Sequence, residues 1–415
     1  MKLYRREQYL IKIRPFYDDD GLIKVITGIR RCGKSCLMQT VAEELGERGV
    51  AEGDIVYLDL DKRGLRSGKT PDQLDAAISS RLTGGGPAGG GPTYLFIDEV
   101  QNVEGFEEVV NAYRDEGGFS IFLTGSNSYL LSGELATKLT GRYVEFDMFT
   151  LSFAEYLGMR RFLGRELRDT RLEFEDYPRY GGFPGSLRYD EPDAKARYIE
   201  DVVAQIVKKD IRARRKIRNV DTFERIMAYM INNYGAPTSL GNIVDYFNNV
   251  EKVPVQRRTV AAYIQLLVNA KVLYRCPRFD LKSRRSLHGE EKYYLADPGI
   301  YFARNVDVRL NYGPALENAL YSYLRARDYR LSVGRIGGLE CDFIARRRNA
   351  YAYVQVAMTI AERATEDREY RPFSHIRDGY PRYLFTLDPL LQEREGVHHL
   401  NMADFMAGEG DLLVG

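Results

Sequence analysis

The chain has 415 residues, enough for two or three domains with separate cores, and its formal net charge at pH 7 is +1. Because the chain carries almost no excess charge, any nucleic-acid surface has to be a local basic patch. The four cysteines lack C-x-x-C spacing, no apolar run approaches the roughly 18 residues of a membrane span, and the first 15 residues lack the apolar core of a signal peptide. These features exclude a disulfide framework and a membrane-spanning protein, so we expect a cytoplasmic protein with no membrane partner.

Residues 22–45 hold the first chemical motif, a glycine-rich loop between a strand and a helix. The strand is short, apolar and β-branched, and apolar side chains recur at helical spacing after the loop. The loop fits G-x-x-x-x-G-K-[ST], a pattern that points backbone N–H groups and the positive end of a helix at phosphate oxygens. The sequence therefore predicts an ATP site formed by Gly28, Ile29, Arg30, Arg31, Cys32, Gly33, Lys34, Ser35 and Cys36.

Strand-like and helical stretches alternate along the rest of the first 160 residues. Further strands are predicted at 54–60, 93–100, 119–126 and 143–149, with helices around 71–82, 105–114 and 130–139. This alternation is typical of an α/β fold with a parallel sheet. The run GGGPAGGGP at 84–92 is predicted to be a surface loop inside this domain.

Two adjacent carboxylates end the apolar strand of the stretch YLFIDEVQ. Asp98 is expected to hold Mg²⁺ through water together with the Ser35 hydroxyl, while Lys34 reaches the β- and γ-phosphates. Glu99 is expected to polarise the attacking water, because phosphoryl transfer mainly requires an oriented nucleophile. Two acids at a strand end can also be ordinary surface residues. Their position downstream of the phosphate loop favours the catalytic interpretation.

The next strand ends in the polar stretch LTGSNS, and an arginine precedes the strand after it. Thr124, Ser126 and Asn127 lie where the carboxyl end of a parallel strand meets ligands, and the catalytic candidates among them are Ser126 and Asn127. They are either γ-phosphate sensors or caps of a turn. Arg142 is either a finger that acts on a neighbouring subunit's nucleotide or a surface charge.

The order of the motifs GIRRCGKS, LFIDEVQ, LTGSNS, LTGRY and LSFAEYL resembles a prokaryotic group of AAA-type ATPases with a C-terminal domain of uncharacterised function. The stretch YGGFP at 180–184 is similar to the lid-helix motif of that group. The resemblance spans almost the whole chain. It implies a five-stranded AAA core, ATP and Mg²⁺ as cofactors, and homo-oligomers in the form of filaments or of rings such as hexamers.

The middle of the chain offers two basic surfaces. Residues 193–220 are helical in pattern and strongly basic, and they are either a solvated face or a surface for a polyanion or a neighbouring subunit. Three helical stretches and a hairpin follow, which is the arrangement of a winged-helix domain. Gln256, Arg257 and Arg258 begin the third helix, where a recognition helix presents side chains to DNA. The predicted hairpin tip carries Lys282, Arg284 and Arg285. DNA and a protein partner both stay open, since winged helices bind either.

The C-terminal stretches resemble the restriction-endonuclease-like fold, whose active form has an acid on one strand and E-x-K on the next. Asp342 stands at the first acid position, Glu317 on the preceding helix, and Glu340 on the strand face of Asp342. The E-x-K position reads QVA from Gln355 onward, without the carboxylate or the lysine. Because two-metal cleavage uses both groups, we expect a retained fold that has lost nuclease activity.

The predicted fold class is α/β, in four parts. These are a P-loop AAA-type ATPase core with a parallel sheet at 1–160, a helical lid and basic helix at 161–221, a winged-helix domain at 222–300, and an inactive restriction-endonuclease-like α/β domain at 301–415. The favoured function is that of a Mg²⁺-dependent oligomeric ATPase that binds, translocates or remodels DNA. Two alternatives stay open: a nucleotide-controlled signalling switch with protein-docking C-terminal domains, and an active ATP-regulated nuclease.

Overall fold

The computed structural model describes residues 2–62, 70–82, 91–125, 141–212, 217–283, 285–305, 312–336 and 338–413, with the backbone alone for 285–290. The chain divides into two compact units, Met1–Met148 and Phe149–Gly415. Several sequence predictions lie outside the described residues: the helix at 130–139, Ser126, Asn127, Arg284 and most of the surface loop GGGPAGGGP at 84–92. No helix of the described part is long and apolar enough to cross a membrane.

The first unit is built on a five-stranded, all-parallel sheet with the strand order β2-β3-β4-β1-β5. Its strands are β1 (Ile23–Gly28), β2 (Ile55–Asp59), β3 (Thr93–Asp98), β4 (Phe119–Thr124) and β5 (Tyr143–Met148). Every residue of β1 and β3 is buried, as expected for parallel strands that are covered on both faces. The predicted parallel α/β core is confirmed.

The helices of the first unit surround this sheet. They are α1 (Glu7–Ile13), α2 (Lys34–Glu47), α3 (Pro71–Ser79) and α4 (Phe106–Glu116). Apolar side chains of α3 and α4 share one buried core with the strands. The N-terminal segment is tied to α2 through a buried carboxylate, because Glu44 accepts hydrogen bonds from Arg14 Nη2 at 2.8 Å and from the Tyr17 hydroxyl at 2.8 Å.

The second unit is rich in helices. They are α5 (Phe153–Phe162), α6 (Thr170–Tyr180), α7 (Pro192–Gln205), α8 (Val220–Asn232), α9 (Leu240–Asn249), α10 (Arg257–Asn269), α11 (Gly299–Arg304), α12 (Tyr312–Ala326), α13 (Arg363–Tyr370) and α14 (Met402–Ala407). A π-helical segment, Ile206–Arg212, extends α7. A reciprocal capping box begins α5, in which Ser152 and Glu155 each bond the other's backbone N–H.

An eight-stranded mixed sheet runs through the second unit in the order β13-β12-β11-β10-β9-β7-β8-β6. Its strands are β6 (Pro237–Thr238), β7 (Leu273–Asp280), β8 (Arg285–Leu295), β9 (Arg330–Ile336), β10 (Leu339–Arg347), β11 (Ala350–Val356), β12 (Arg382–Thr386) and β13 (Val397–Asn401). Strand β7 pairs with β8 in an antiparallel hairpin and with β9 in parallel. The proposed boundary at residue 300 therefore falls inside one continuous sheet. The four-part division stays a prediction.

The YGGFP stretch meets a buried aspartate from far along the chain. Asp297 accepts N–H bonds from Gly182 at 2.7 Å and from Gly299 at 2.9 Å. Gly181 has φ of +70°, and a Cβ there would lie 1.8 Å from Asp297 Oδ1, so no larger residue fits. Burial raises the pKa of Asp297 to about 6, although the Thr150 hydroxyl and these N–H groups oppose that shift. Packing against Asp297 thus requires glycine at 181, and the Leu151 carbonyl oxygen, 2.3 Å from where a Cβ on Gly182 would lie, requires it at 182.

Candidate functional site

The glycine-rich loop connects β1 to α2 as the motif predicts. Gly28 has φ of +147°, and a Cβ on it would lie 2.2 Å from the Met148 carbonyl oxygen. Gly33 has φ of +110° and directly precedes α2. Both positions need a residue without a side chain. The first turn of α2 therefore begins where the loop ends, and its N–H groups have no acceptor within the helix, which suits them to phosphate oxygens.

The Lys34 ammonium lies inside the loop. It donates to the carbonyl oxygens of Gly28 at 3.1 Å and Ile29 at 3.2 Å, and its side chain is buried. From the other side, Arg6 Nη1 donates to the Cys32 carbonyl oxygen at 3.1 Å. Arg6 is a positioning residue that sequence reasoning missed, because it lies 26 residues before its partner and no local pattern marks it.

The remaining loop residues divide into packing and exposed positions. Ile29, Cys32 and Arg30 are buried, and burial raises the pKa of the Cys32 thiol, which keeps it protonated. Arg31, with φ of +69°, and Cys36 are exposed. The groups that can hold a triphosphate are therefore the loop backbone, Lys34 and Ser35, while Ile29 and Cys32 hold the loop's shape.

Asp98 lies at the end of β3 and meets Ser35. Its carboxylate accepts hydrogen bonds from the hydroxyls of Ser35 and Thr124 and is 3% exposed. Burial raises the pKa of Asp98, and the two hydroxyls oppose the shift. Asp59 of β2 stands beside it in register, a neighbour that sequence reasoning missed because strand pairing is not visible locally.

The donor set fits Mg²⁺. This ion takes oxygen ligands and commonly uses one or two protein groups together with substrate phosphates. Ser35 and Asp98 supply a hydroxyl and a carboxylate that are already adjacent. The described residues contain no group of three or more His, Cys, Asp or Glu side chains suited to a metal ion, and an ion that binds with a triphosphate needs no such group.

Glu99 adopts a backbone conformation that is rare for a residue with a side chain. Its φ is +57°, a left-handed conformation that seven other non-glycine residues of the described part share, so its significance depends on its contacts. Its N–H donates to Thr124 Oγ1 at 2.9 Å, and its carboxylate accepts from Gln101 Nε2. Thr124 therefore binds both Asp98 and the backbone of Glu99, so one hydroxyl fixes the two acids relative to each other.

The structure separates Arg142 from this site. The carbonyl oxygen of Arg142 accepts from the N–H of Ile23, the first residue of β1, whereas the phosphate loop follows the last residue of β1. The Arg142 side chain is 55% exposed and pairs with Asp115 at 3.6 Å. Arg142 therefore lies at the end of the parallel strands opposite to the phosphate loop of the same chain. Its role as a finger in trans stays a prediction.

The second unit contains an acidic cluster around one lysine. Lys292 Nζ of β8 lies 2.7 Å from Glu317 Oε1 of α12, 2.9 Å from Glu340 Oε1 and 3.9 Å from Asp342 Oδ1 of β10. Arg278 Nη2 adds a second cation, 2.8 Å from Glu340 Oε2. The structure thus brings together the three acids that the sequence predicted for a nuclease-like centre, and it adds two cations from the β7–β8 hairpin.

These charges perturb one another strongly. Burial raises the pKa of Glu317 and that of Asp342, and Lys292 opposes both shifts. Burial alone would lower the pKa of Lys292, but the three carboxylates outweigh it and hold the pKa above its usual range. Gln355 is not free for a metal: its amide donates to Glu369 at 2.8 Å, and its oxygen accepts from the Asp342 N–H at 3.2 Å.

The E-x-K position of the sequence offers no ammonium for this centre. The structure supplies it from another strand, 25 residues before Glu317. No local signal marked this residue, because Lys292 follows two glutamates and precedes the run YYLA, and a lysine in that position is typical of the polar end of a strand.

Comparison with known proteins agrees with this geometry. A family profile described as an AAA domain matches residues 20–157, and one described as a domain of unknown function (DUF8612) matches residues 171–307. An uncharacterised protein of Haemophilus influenzae is 33% identical over 402 residues, 97% of this chain and 98% of that protein. An uncharacterised protein of Methanocaldococcus jannaschii is 26% identical over 368 residues, 85% of this chain and 78% of that protein.

Among solved structures, a Walker-type ATPase of Pyrococcus abyssi is similar, with 17% identity and a TM-score of 0.49, over 73% of this chain and 95% of that one. The relative from Haemophilus influenzae matches along nearly the full length of both chains. The AAA profile coincides with the phosphate loop, the Asp98 strand and the parallel sheet. The chain contains a P-loop AAA domain followed by a domain of unknown function, and it belongs to one family with the Haemophilus influenzae protein.

Proposed function

We propose that this protein hydrolyses ATP in a Mg²⁺-dependent reaction. The observation that carries the proposal is the hydrogen bond between Ser35 and Asp98 beside the phosphate loop. It joins the hydroxyl and the carboxylate that a nucleotide-bound magnesium ion uses. The adjacent residue, Glu99, is held in a left-handed conformation by its own backbone contact to Thr124.

Each residue has a role that its position supports. Lys34, now held by two loop carbonyls, moves its ammonium to the β- and γ-phosphate oxygens when nucleotide binds. A bound Mg²⁺ would supply charge neutralisation at the phosphates. Ser35 and Asp98 would hold the ion. Glu99 accepts a hydrogen bond from the attacking water and orients it toward the γ-phosphorus.

Three substitutions test these roles. Lys34→Ala should weaken ATP binding, because it removes the phosphate-facing ammonium. Glu99→Gln should retain binding and slow hydrolysis by at least about two orders of magnitude, as expected for loss of a positioned water. Glu108→Gln, an exposed site on α4, is the charge-matched control. Wild-type turnover by Glu99→Gln, measured as phosphate release with saturating ATP, would show that the assignment is wrong.

We also propose that the second unit binds DNA. Helices α8, α9 and α10 with strands β6, β7 and β8 follow the winged-helix order, and β6 pairs with β8 beside the hairpin. Arg257 and Arg258 are exposed at the start of α10, and among the described residues neither has an ion-pair partner. Cations at this end of a recognition helix suit base edges and phosphates.

DNA binding is tested by its salt dependence. Binding through phosphates predicts a log–log slope of about −0.9 per contact for duplex DNA. The double variant Arg257→Gln, Arg258→Gln should reduce the magnitude of that slope by about 2 if both side chains contact phosphate. If the protein shows no salt-dependent affinity for duplex DNA, the proposal that it binds DNA is wrong.

We propose in addition that the protein is cytoplasmic and forms homo-oligomeric rings such as hexamers, in which Arg142 would meet the nucleotide of a neighbour.

A nucleotide-controlled switch is the second candidate, and exposed apolar side chains favour it. Leu390, Leu391 and Met358 are 78%, 46% and 51% exposed. Their segments are joined by the hydrogen bond from the Leu387 N–H to the Met358 carbonyl oxygen, and apolar residues exposed in adjoining segments favour protein docking. Leu390→Ser with Leu391→Ser should then abolish partner capture without changing ATP turnover or DNA affinity. A DNA-stimulated ATPase rate that survives this change would favour the first function.

We propose further that the acidic cluster does not cut DNA. Lys292 and Arg278 already offset much of the charge of Glu317, Glu340 and Asp342. A divalent ion at this place would have to compete with a buried ammonium for the same oxygens. Gln355, committed to Glu369 and to the Asp342 backbone, offers no anionic ligand in compensation.

A further inference from the structure

The second unit has a surface cavity of about 730 Å³ that neither the phosphate loop nor the acidic cluster includes. It lies at the ends of β7, β9, β10 and β11, and the segment from His375 to Tyr380 forms one wall. Its volume is within the range of small-molecule sites, roughly 300–1,000 Å³. The side chains that decide what it can bind are Phe279, Lys282, Arg346, Tyr351, Arg377 and Tyr380.

Three cations line this cavity without a matching set of acids. Lys282 and Arg377 are exposed and Arg346 is half-buried, and none of the three has an ion pair or hydrogen bond from its side chain within the described part of the chain. Among the lining residues that the structure describes, Asp378 is the one carboxylate, and it accepts hydrogen bonds from the Tyr353 hydroxyl at 2.5 Å and from the Tyr380 N–H at 3.2 Å. The cavity therefore has a surplus of positive charge and favours an anion.

Aromatic rings stand beside these cations. The rings of Tyr351 and Tyr380 are 5.2 Å apart and tilted by 59°. Tyr380 is 37% exposed, and neither hydroxyl has a hydrogen-bond partner among the residues that the structure describes. Because more than a third of Tyr380 is exposed, part of its ring is open to solvent beside Tyr351. Such a face suits stacking against a planar group.

We propose that this cavity binds a nucleobase together with its adjoining phosphate. The base would stack on Tyr380 or Tyr351, and the phosphate would lie between Arg346 and Arg377. Aromatic stacking platforms next to cations are how proteins hold single-stranded nucleic acid without reading its sequence. The same chemistry could come from a strand of DNA or RNA or from a free mononucleotide. The site is independent of the ATPase assignment, since none of its residues belongs to the first unit.

Fluorescence anisotropy with short labelled single-stranded DNA and RNA tests the proposal, with the full chain carrying Lys34→Ala so that the phosphate loop contributes little. Tyr380→Ala should weaken binding about tenfold or more, and Tyr380→Phe should bind nearly as well as the parent, because stacking requires the ring and not the hydroxyl. Unlabelled AMP is the competitor that separates the two sources. If AMP displaces the labelled strand at the concentration at which unlabelled strand does, the site binds free nucleotides. If AMP does not displace it, the site binds the strand.

The salt dependence gives a second readout. Arg346→Gln with Arg377→Gln should reduce the magnitude of the log–log salt slope by about 1.4, from loss of two contacts at about 0.7 each for a single strand. Arg161→Gln, an exposed cation of α5 outside the lining, should leave the slope unchanged. The proposal is overturned if no probe binds or if Tyr380→Ala binds like Tyr380→Phe. Unchanged melting temperatures would show that the variants are folded.

Discussion

Lys292 offers the sharpest test of how the second unit is held together. Its side chain is 5% exposed and that of Glu317 is 11% exposed, so solvent screens their contact weakly. Lys292→Met keeps the length and volume of the side chain but removes the ammonium. Breaking a buried ion pair from one side costs about 3–5 kcal/mol, because it leaves an uncompensated charge. Here the acids can take up a proton, since burial already raises the pKa of Glu317 and Asp342. We therefore expect Lys292→Met to lower the free energy of unfolding by the lower end of this range, about 3 kcal/mol at pH 7.

The assay is thermal and urea unfolding of the full chain. A loss of about 3 kcal/mol should lower the melting temperature of the second unit by roughly 6–12 °C, taking about 2–4 °C per kcal/mol for a unit of this size. Lys209→Met, an exposed lysine of the π-helical segment, should change stability by less than about 0.5 kcal/mol. The loss for Lys292→Met should shrink at pH 5, where the acids are more readily protonated.

A double variant separates charge from packing. Adding Glu317→Gln to Lys292→Met removes the carboxylate that lies nearest to Lys292 in the wild type, and the amide oxygen can still accept from the Tyr294 hydroxyl, which bonds Glu317 in the wild type. The double variant should therefore be more stable than Lys292→Met alone. Added Mg²⁺ or Ca²⁺ should stabilise Lys292→Met more than the wild type. A melting temperature within a degree or two of wild type would refute the reasoning, and so would a double variant no more stable than the single one.

Three further outcomes are expected. Mixing Arg142→Ala with Glu99→Gln subunits should restore part of the ATPase rate if Arg142 acts in trans, and mixtures that co-assemble but stay inactive would remove that role. Linear, circular and branched DNA should stay intact with Mg²⁺ or Mn²⁺, whereas cutting that disappears in Asp342→Ala would establish a nuclease. The pKa of Asp297 is about 6 in the folded protein, against an ordinary 3.8. Its contribution to stability is therefore present below about pH 4 and is lost as pH rises through 6. The loss is about 3 kcal/mol, because the folded and unfolded pKa values differ by about two units. Urea unfolding across this range should show a smaller pH dependence in Asp297→Asn, and an equal one would contradict the assignment.

Local patterns were sufficient to predict the phosphate loop. The β-branched run before Gly28 and the helical spacing after Lys34 are short-range signals, and the structure ends β1 and begins α2 at these residues. The β3 strand that ends at Asp98 was predicted in the same way, because a buried parallel strand is a short apolar run. These local patterns do not show which residues of neighbouring strands lie beside the end of each strand. The hydroxyl of Thr124 that joins Asp98 to the backbone of Glu99 depends on β3 pairing with β4.

The second unit was harder to predict because its important contacts are between distant elements. Glu317, Glu340 and Asp342 were recognised as a group from their spacing, but Lys292 reaches them only because β8 and β10 belong to one sheet. A register shift in β10 between Cys341 and Ile344 adds to the difficulty, since a bulge changes which side chains share a face. No periodicity in the sequence announces such a bulge.

Because that sheet is continuous, deletions and substitutions differ in what they can show about the function of the C-terminal region. Removing residues 313–415 would delete β9, the parallel partner of β7, and would expose the edge of the hairpin on which the winged-helix interpretation depends. It would also remove every acid that surrounds Lys292 and leave a buried ammonium without partners. A change in DNA affinity or assembly after such a deletion would therefore report misfolding of the hairpin as much as loss of a binding surface. Substitutions at exposed side chains, such as Arg257 on α10 and Tyr380 at the cavity, leave the sheet intact and can assign DNA binding to one surface or the other.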